Sequence, residues 1–231
     1  VRHNHSFMMD PNAGLGRTTG NPVYEDQMEG VALWAKGRSV ILFNAILDAE
    51  HRFLKMFAGD YIEAHHEACK FVDEVYGVKI PAQADITIAS CGGYPKDINV
   101  YQMQKTMDNA VLATKQGGVV ILLAGCEEGS GSKVLEETCR TLKTADAIEA
   151  KLRDRFLIGA NKAYAITRLT KKAHFILVTG LDRQLAKDML FDGAVDTVEE
   201  ALELAKQYVG DDVHYILMPT GSLTVPLYRP E

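Results

Sequence analysis

From residue 86 onward, short apolar runs alternate with longer stretches of helical periodicity, and few folds accommodate that order. The runs lie at residues 86–89, 119–123, 175–178 and 215–218, each short, as strands buried in a sheet are. Helical patterns separate them, over residues 97–115, 132–143, 161–172, 182–190 and 198–209. Strands that always return through a helix run parallel, so the expected fold is α/β, a mostly parallel sheet covered by helices. Ligands of such sheets gather at the carboxyl ends of the strands, where loops converge and helix N-termini offer N–H groups. Three loops are thereby singled out, at residues 90–97, 125–132 and 219–222.

The earlier part of the chain is less regular. Residues 1–29 are rich in Gly, Asn, Pro and Thr and read as an extended segment left from something upstream, with the α/β domain running from 30 to 231. Apolar runs at 39–47 and 53–58 read as short buried strands, and residues 61–76 as a helix stopped by Gly77. The sequence opens on Val1 and the polar string Arg2-His3-Asn4-His5-Ser6, as a chain whose upstream region has been lost would. A formal net charge of -6 argues against a nucleic-acid surface, which concentrates Lys and Arg. No apolar stretch approaches the roughly 20 residues that cross a bilayer. Four cysteines, at 69, 91, 126 and 139, lack the spacing of a zinc site or a disulfide framework, and free thiols suit the cytoplasm.

The loop at 90–97 carries the most chemistry. Gly92 and Gly93, followed by Tyr94-Pro95, allow a sharp turn and close approach to a ligand, and Asp97 is a good N-cap for the next helix. In that helix Val100, Met103, Met107, Ala110 and Val111 fall on one stripe, leaving Tyr101, Gln102 and Lys105 on neighbouring exposed rows. An ammonium, an amide and a phenol at that spacing suit a small hydroxy-carboxylate; a solvated amphipathic face has the same pattern.

The string Ser90-Cys91-Gly92-Gly93-Tyr94-Pro95-Lys96-Asp97-Ile98-Asn99-Val100-Tyr101-Gln102-Met103-Gln104-Lys105 resembles the signature of the nickel-dependent lactate racemase family. Shorter pieces agree: Gly20-Asn21-Pro22-Val23-Tyr24-Glu25-Asp26, Phe57-Ala58-Gly59-Asp60, Gly117-Gly118-Val119 and Asn161-Lys162-Ala163-Tyr164. The resemblance implies the C-terminal part of a two-domain racemase or epimerase whose active site lies between the domains. It implies a nickel-pincer nucleotide tethered to an upstream lysine, two upstream histidines as acid and base, and a small 2-hydroxy acid as substrate. Carried onto this sequence, Gln102 and Lys105 hold the substrate or its keto intermediate, and Tyr101 lines the same pocket. His5 stands where such proteins carry a nickel ligand. The tether lysine and both acid–base histidines have no counterpart here, so the chain alone is expected to need its missing N-terminal domain. A stand-alone ligand-binding or partner-docking module without catalysis is the competing reading.

Other motifs carry less. The glycines from Gly14 to Gly20 miss the dinucleotide-binding spacing by one residue and follow no strand. The stretch from Gly125 to Lys133 places Lys after Ser and includes two carboxylates, so it reads as a flexible loop at the cleft rim and not as a phosphate loop. Cys91 has no adjacent base and reads as a small buried residue. His65 and His66 diverge by about 100° on a helix and do not readily share a metal. His3 and His5, on an extended segment, would point to one side.

Overall fold

The computed structural model describes residues 2–228, Arg2 by its backbone alone; Val1 and residues 229–231, the ends of the expected ranges, lie outside the described residues. Two compact units divide at Gly77/Val78.

The first unit holds α1 (Arg2–Ser6), a 3-10 turn at Phe7–Met9, α2 (Pro22–Ala35), β1 (Leu42–Leu47), β2 (Phe53–Gly59) and α3 (Tyr61–Tyr76). The segment expected to be extended is therefore largely helical, and the expected boundary at residues 29/30 falls inside α2. The cause is local: the Asn21 side chain accepts the Val23 N–H and Pro22 sits at the first helical position, where its missing donor costs nothing. The strands expected to be buried form instead a two-stranded antiparallel hairpin, with Phe43 opposite Ala58 and Ala45 opposite Met56. One face of it meets α3, where the Phe57 and Phe71 rings lie 6.0 Å apart. Phe43, Phe53 and Met56 are exposed.

The second unit contains β4 (Ala84–Ser90), α4 (Val100–Ala113), β5 (Thr114–Leu123), α5 (Lys133–Leu142), α6 (Ala145–Asp154), α7 (Ala160–Thr167), β6 (His174–Val178), α8 (Arg183–Asp188), β7 (Gly193–Val195), α9 (Val198–Val209) and β8 (Tyr215–Met218). Its sheet has five strands in the order β7-β6-β5-β4-β8, and every pairing is parallel. A separate short ribbon pairs β3 (Gly77–Lys79) with β9 (Val225–Leu227). Helix starts follow from sequence: Ser132, Thr144, Asp182 and Thr197 each accept a backbone N–H of the first turn, and Thr197 with Glu200 completes a capping box. Ile86, Val119, Ile121 and Ile176 project from the sheet onto Ala201 and Ala205 of α9. On the other side, Met103, Met107, Ala110 and Ala113 of α4 are fully buried. The chain winds outward from β4 to β7 and crosses back to β8, so the strand order reverses between β4 and β8. Crevices that bind ligands form at such a reversal.

Candidate active-site face

Beyond β4 the chain turns through Gly92 and Gly93, whose φ values of 86° and 75° only glycine adopts without strain. The loops after β4 and β8 meet there: the Gly221 N–H donates to the Ser90 carbonyl at 2.9 Å, and Asn109 Nδ2 donates to the Gly221 carbonyl at 2.8 Å. The expected cap, Asp97, does not cap α4. Its Oδ2 accepts the Gly125 N–H at 3.2 Å, across to the loop after β5. Asn99 takes the cap position instead, since it directly precedes the first helical residue, and accepts the Gln102 N–H at 3.0 Å.

The loop after β5, expected to be flexible, is bonded along the first turn of α4. Gly129 and Ser130 carbonyls accept the Val100 and Tyr101 N–H groups at 3.1 and 3.0 Å, the Cys126 N–H donates to Asp97 O at 2.8 Å, and Asn99 Nδ2 reaches Glu128 at 3.3 Å. The N–H groups expected to be free at this helix start are thus occupied, and an anion here must be held by side chains.

Those side chains are in place. Tyr101 and Lys105 are exposed and Gln102 half-buried, as their helical spacing required, and Lys105 Nζ donates to Gln102 Oε1 at 3.0 Å. A second ammonium joins them: Lys162 Nζ, on α7, lies 4.1 Å from the centroid of the Tyr101 ring and donates to Gln104 Oε1 at 2.5 Å. Gln104 in turn donates to Asp108, which also accepts from Arg168 at 2.6 Å. Burial pushes the Lys162 pKa down; Asp108 opposes this and the neighbouring positive Lys105 adds to it. Burial likewise raises the Asp108 carboxyl, against the pull of Arg168 and Lys162. An amide, a phenol and two mutually repelling ammonium groups make a face complementary to a carboxylate with a hydroxyl beside it. Lys162 was not legible as a neighbour of Tyr101, because the two are 61 positions apart in sequence and only the packing of α7 on α4 joins them.

The remaining candidates separate from this face. Cys91 is fully buried and its thiol is pushed up to about 12 by burial, which removes it as a nucleophile. His5 lies in α1, so His3 and His5, two apart on a helix, diverge; the extended geometry expected to align them is absent. His3 faces Asp26 at 3.6 Å. His65 packs near Cys69, whose Sγ is 3.7 Å from Nδ1, while His66 Nε2 meets the Tyr24 hydroxyl at 3.1 Å; the Tyr24 ring also stacks on His65, with centroids 5.5 Å apart. Among the described residues, no group of three or more His, Cys, Asp or Glu side chains is arranged to hold a metal ion. Two clefts of about 520 and 920 Å³ lie in the first unit, and none of the α4 side chains lines them.

Residues 79–225 match the family described as the lactate racemase C-terminal domain. The chain belongs to the lactate racemase family. It is 31% identical over 226 residues to a lactate racemase of Thermoanaerobacterium thermosaccharolyticum, covering 96% of this chain and 52% of that protein. To a lactate racemase of Lactiplantibacillus plantarum it is 29% identical over 227 residues, with the same coverage. The structure of the lactate racemase apoprotein from T. thermosaccharolyticum superimposes with a TM-score of 0.90 at 30% identity, over 99% of this chain and 55% of that one. A Thermotoga maritima protein shares the fold alone, with a TM-score of 0.65 at 13% identity over 90% of this chain and 54% of that one. The chain spans about half the length of the curated relatives it matches.

Proposed function

We propose that this chain is the substrate-holding C-terminal part of a 2-hydroxy-acid racemase or epimerase of the lactate type, working in the cytoplasm together with an N-terminal domain. The observation that carries the reading is the Lys105–Gln102 pair on α4, beside a Tyr101 ring held by Lys162. In this reading Lys105 balances the substrate carboxylate, Gln102 fixes its orientation, and Tyr101 walls the pocket. The four free cysteines suit a reducing compartment. No described helix is long and apolar enough to cross a membrane.

A nickel-pincer nucleotide, when bound, supplies the hydride acceptor that inversion of an unactivated hydroxyl-bearing carbon needs. Among the described residues no three or more His, Cys, Asp or Glu side chains are grouped to hold a metal ion, so His5 would supply only part of a nickel site. His5 is proposed as a single nickel ligand in the intact protein; full nickel content after His5→Ala would retire that assignment.

The test of the function is racemisation of lactate by the full-length protein. A hydrogen bond to a charged group contributes about 1.5–3 kcal/mol, so Lys105→Ala should lower kcat/KM by roughly ten- to a hundredfold while the melting temperature holds. Lys105→Arg should restore only part, because a planar fork replaces a compact ammonium. Wild-type turnover in both Lys105→Ala and Gln102→Ala would reduce this row to a solvated helix face.

A further inference from the structure

In a half-solvated antiparallel hairpin the outward positions are polar. Here they are not. The face of the β1–β2 hairpin that carries Phe57 and Lys55 looks onto α3, since Lys55 Nζ lies 4.9 Å from the Phe71 ring centroid and Phe57 packs on the same ring. Alternation then turns Phe43, Ala45, Met56 and Ala58 to the opposite face, and the register pairs them, Phe43 with Ala58 and Ala45 with Met56. That face bears four apolar side chains and no charge. Phe43 is 68% exposed, and Phe53, past the irregularity in the pairing, is 67% exposed. Helix α2 repeats the pattern, with Leu33 and Trp34 exposed and no residue buried along its 14 positions.

A contiguous apolar face of this kind marks an interaction surface. Three observations name what covers it. The match to the C-terminal domain begins at residue 79, so the hairpin and α2 lie outside that domain, on its N-terminal side. The relatives align with this unit as well, since 96% of the chain is matched, and yet they are almost twice as long. Finally, the buried apolar side chains of the first unit are Met9, Ala64 and Ala68 among the described residues, too few for a core of its own. We infer that the outer face of the β1–β2 hairpin is half of a hydrophobic core completed by the polypeptide that precedes this chain in the full-length protein, and that Leu33 and Trp34 of α2 form a separate apolar patch covered by the same polypeptide. The occupant must be apolar and uncharged where it meets Phe43 and Met56. It also pairs or shields the hairpin edges, which a two-stranded sheet leaves open.

The inference rests on the reading of the chain as part of a longer racemase, but its test does not use activity. The 231-residue chain and the full-length product of its gene are labelled in parallel, with carbene at aromatic and aliphatic side chains and with mild oxidant at methionine. Loss of labelling at Trp34, Phe43, Phe53 and Met56 in the long protein, with Tyr208 of α9 still labelled, is the expected result. Equal labelling in both lengths overturns the inference. So does protection already present in the 231-residue chain as a concentration-dependent dimer, which would make a second copy the occupant, or a gene with no coding sequence upstream. Phe43→Lys with Met56→Lys should abolish soluble expression of the full-length protein and leave that of the 231-residue chain unchanged, whereas Phe43→Leu with Met56→Leu should be tolerated in both. Tolerance of the lysine pair in the long protein counts against the shared core. Racemisation by the full-length protein, measured separately, distinguishes failure of this inference from failure of the functional reading.

Discussion

Lys162 is held by what it touches: a tyrosine ring, an amide oxygen and the field of Asp108, against the cost of its own burial. Lys162→Met should therefore leave Gln104 Oε1 without its donor and Asp108 without a nearby positive charge, and lower unfolding stability by about 1–3 kcal/mol, with urea titration as the measurement. An unchanged midpoint would mean that Gln104 and Arg168 satisfy Asp108 without it. The thiols make a second residue-scale prediction. Burial pushes Cys91, Cys126 and Cys139 up to about 12, 11 and 12, from an ordinary 9.0. A group whose folded pKa is raised contributes stability that is complete below its unfolded pKa. Above pH 9 the unfolded chain releases these protons and the folded chain keeps them, so stability falls as pH climbs from 9 toward 11 or 12. Lys162 and Lys172, lowered by burial, pull the other way near their own ordinary value of 10.5. Comparison of variants isolates one thiol: between pH 9 and 10, Cys139→Ala should lose less stability than the parent, by up to about 1.4 kcal/mol. Parallel pH curves for the two would refute the assignment.

Helix α4 depends on Asn99, whose side chain caps the first turn and ties it to Glu128. Asn99→Ala should cost about 0.5–2 kcal/mol and Asn99→Ser should recover most of it, read from denaturant midpoints; equal losses in both would show that the cap is not what matters. The register of this helix was legible because periodicity alone set Val100, Met103 and Met107 inward and Tyr101 and Lys105 outward. The parallel sheet was legible for a similar reason, since buried strands lack polar alternation. What was not legible follows from contacts distant in sequence. Asp97 and Asn99 are both good caps, and only the loop after β5, which claims Asp97 through the Gly125 N–H, decides between them. The hairpin strands looked buried because they are apolar, and sequence does not say whether the partner that buries them lies in the same unit. α6 and the short β7 passed unseen, the one rich in charge and the other three residues long. Lys162 lies in one of the short strings that carried the resemblance, but its contact with Tyr101 exists only once α7 packs on α4.

At the scale of the whole molecule, the two units differ sharply in what holds them. All the largest fully buried side chains, among them Phe175, Met103, Met107, Ile121 and Leu177, belong to the second unit. The first relies on the Phe57–Phe71 contact, caps and surface hydrogen bonds, which contribute little each. Stability in the 231-residue chain should therefore be uneven, with local opening of the first unit far cheaper than global unfolding of the second. Hydrogen exchange followed by mass spectrometry should show the amides of β4, β5 and β6 exchanging slowest, and those of α2, β1 and β2 fastest. Two substitutions make the claim specific. Met103→Ala should cost about 2–5 kcal/mol and speed exchange in the central sheet while leaving the hairpin amides as they were. Phe57→Ala should do the reverse, releasing the hairpin from α3 without touching the sheet. If either substitution accelerated exchange throughout the chain, the two units would share one cooperative transition, and the small core of the first would have to draw on support from the second.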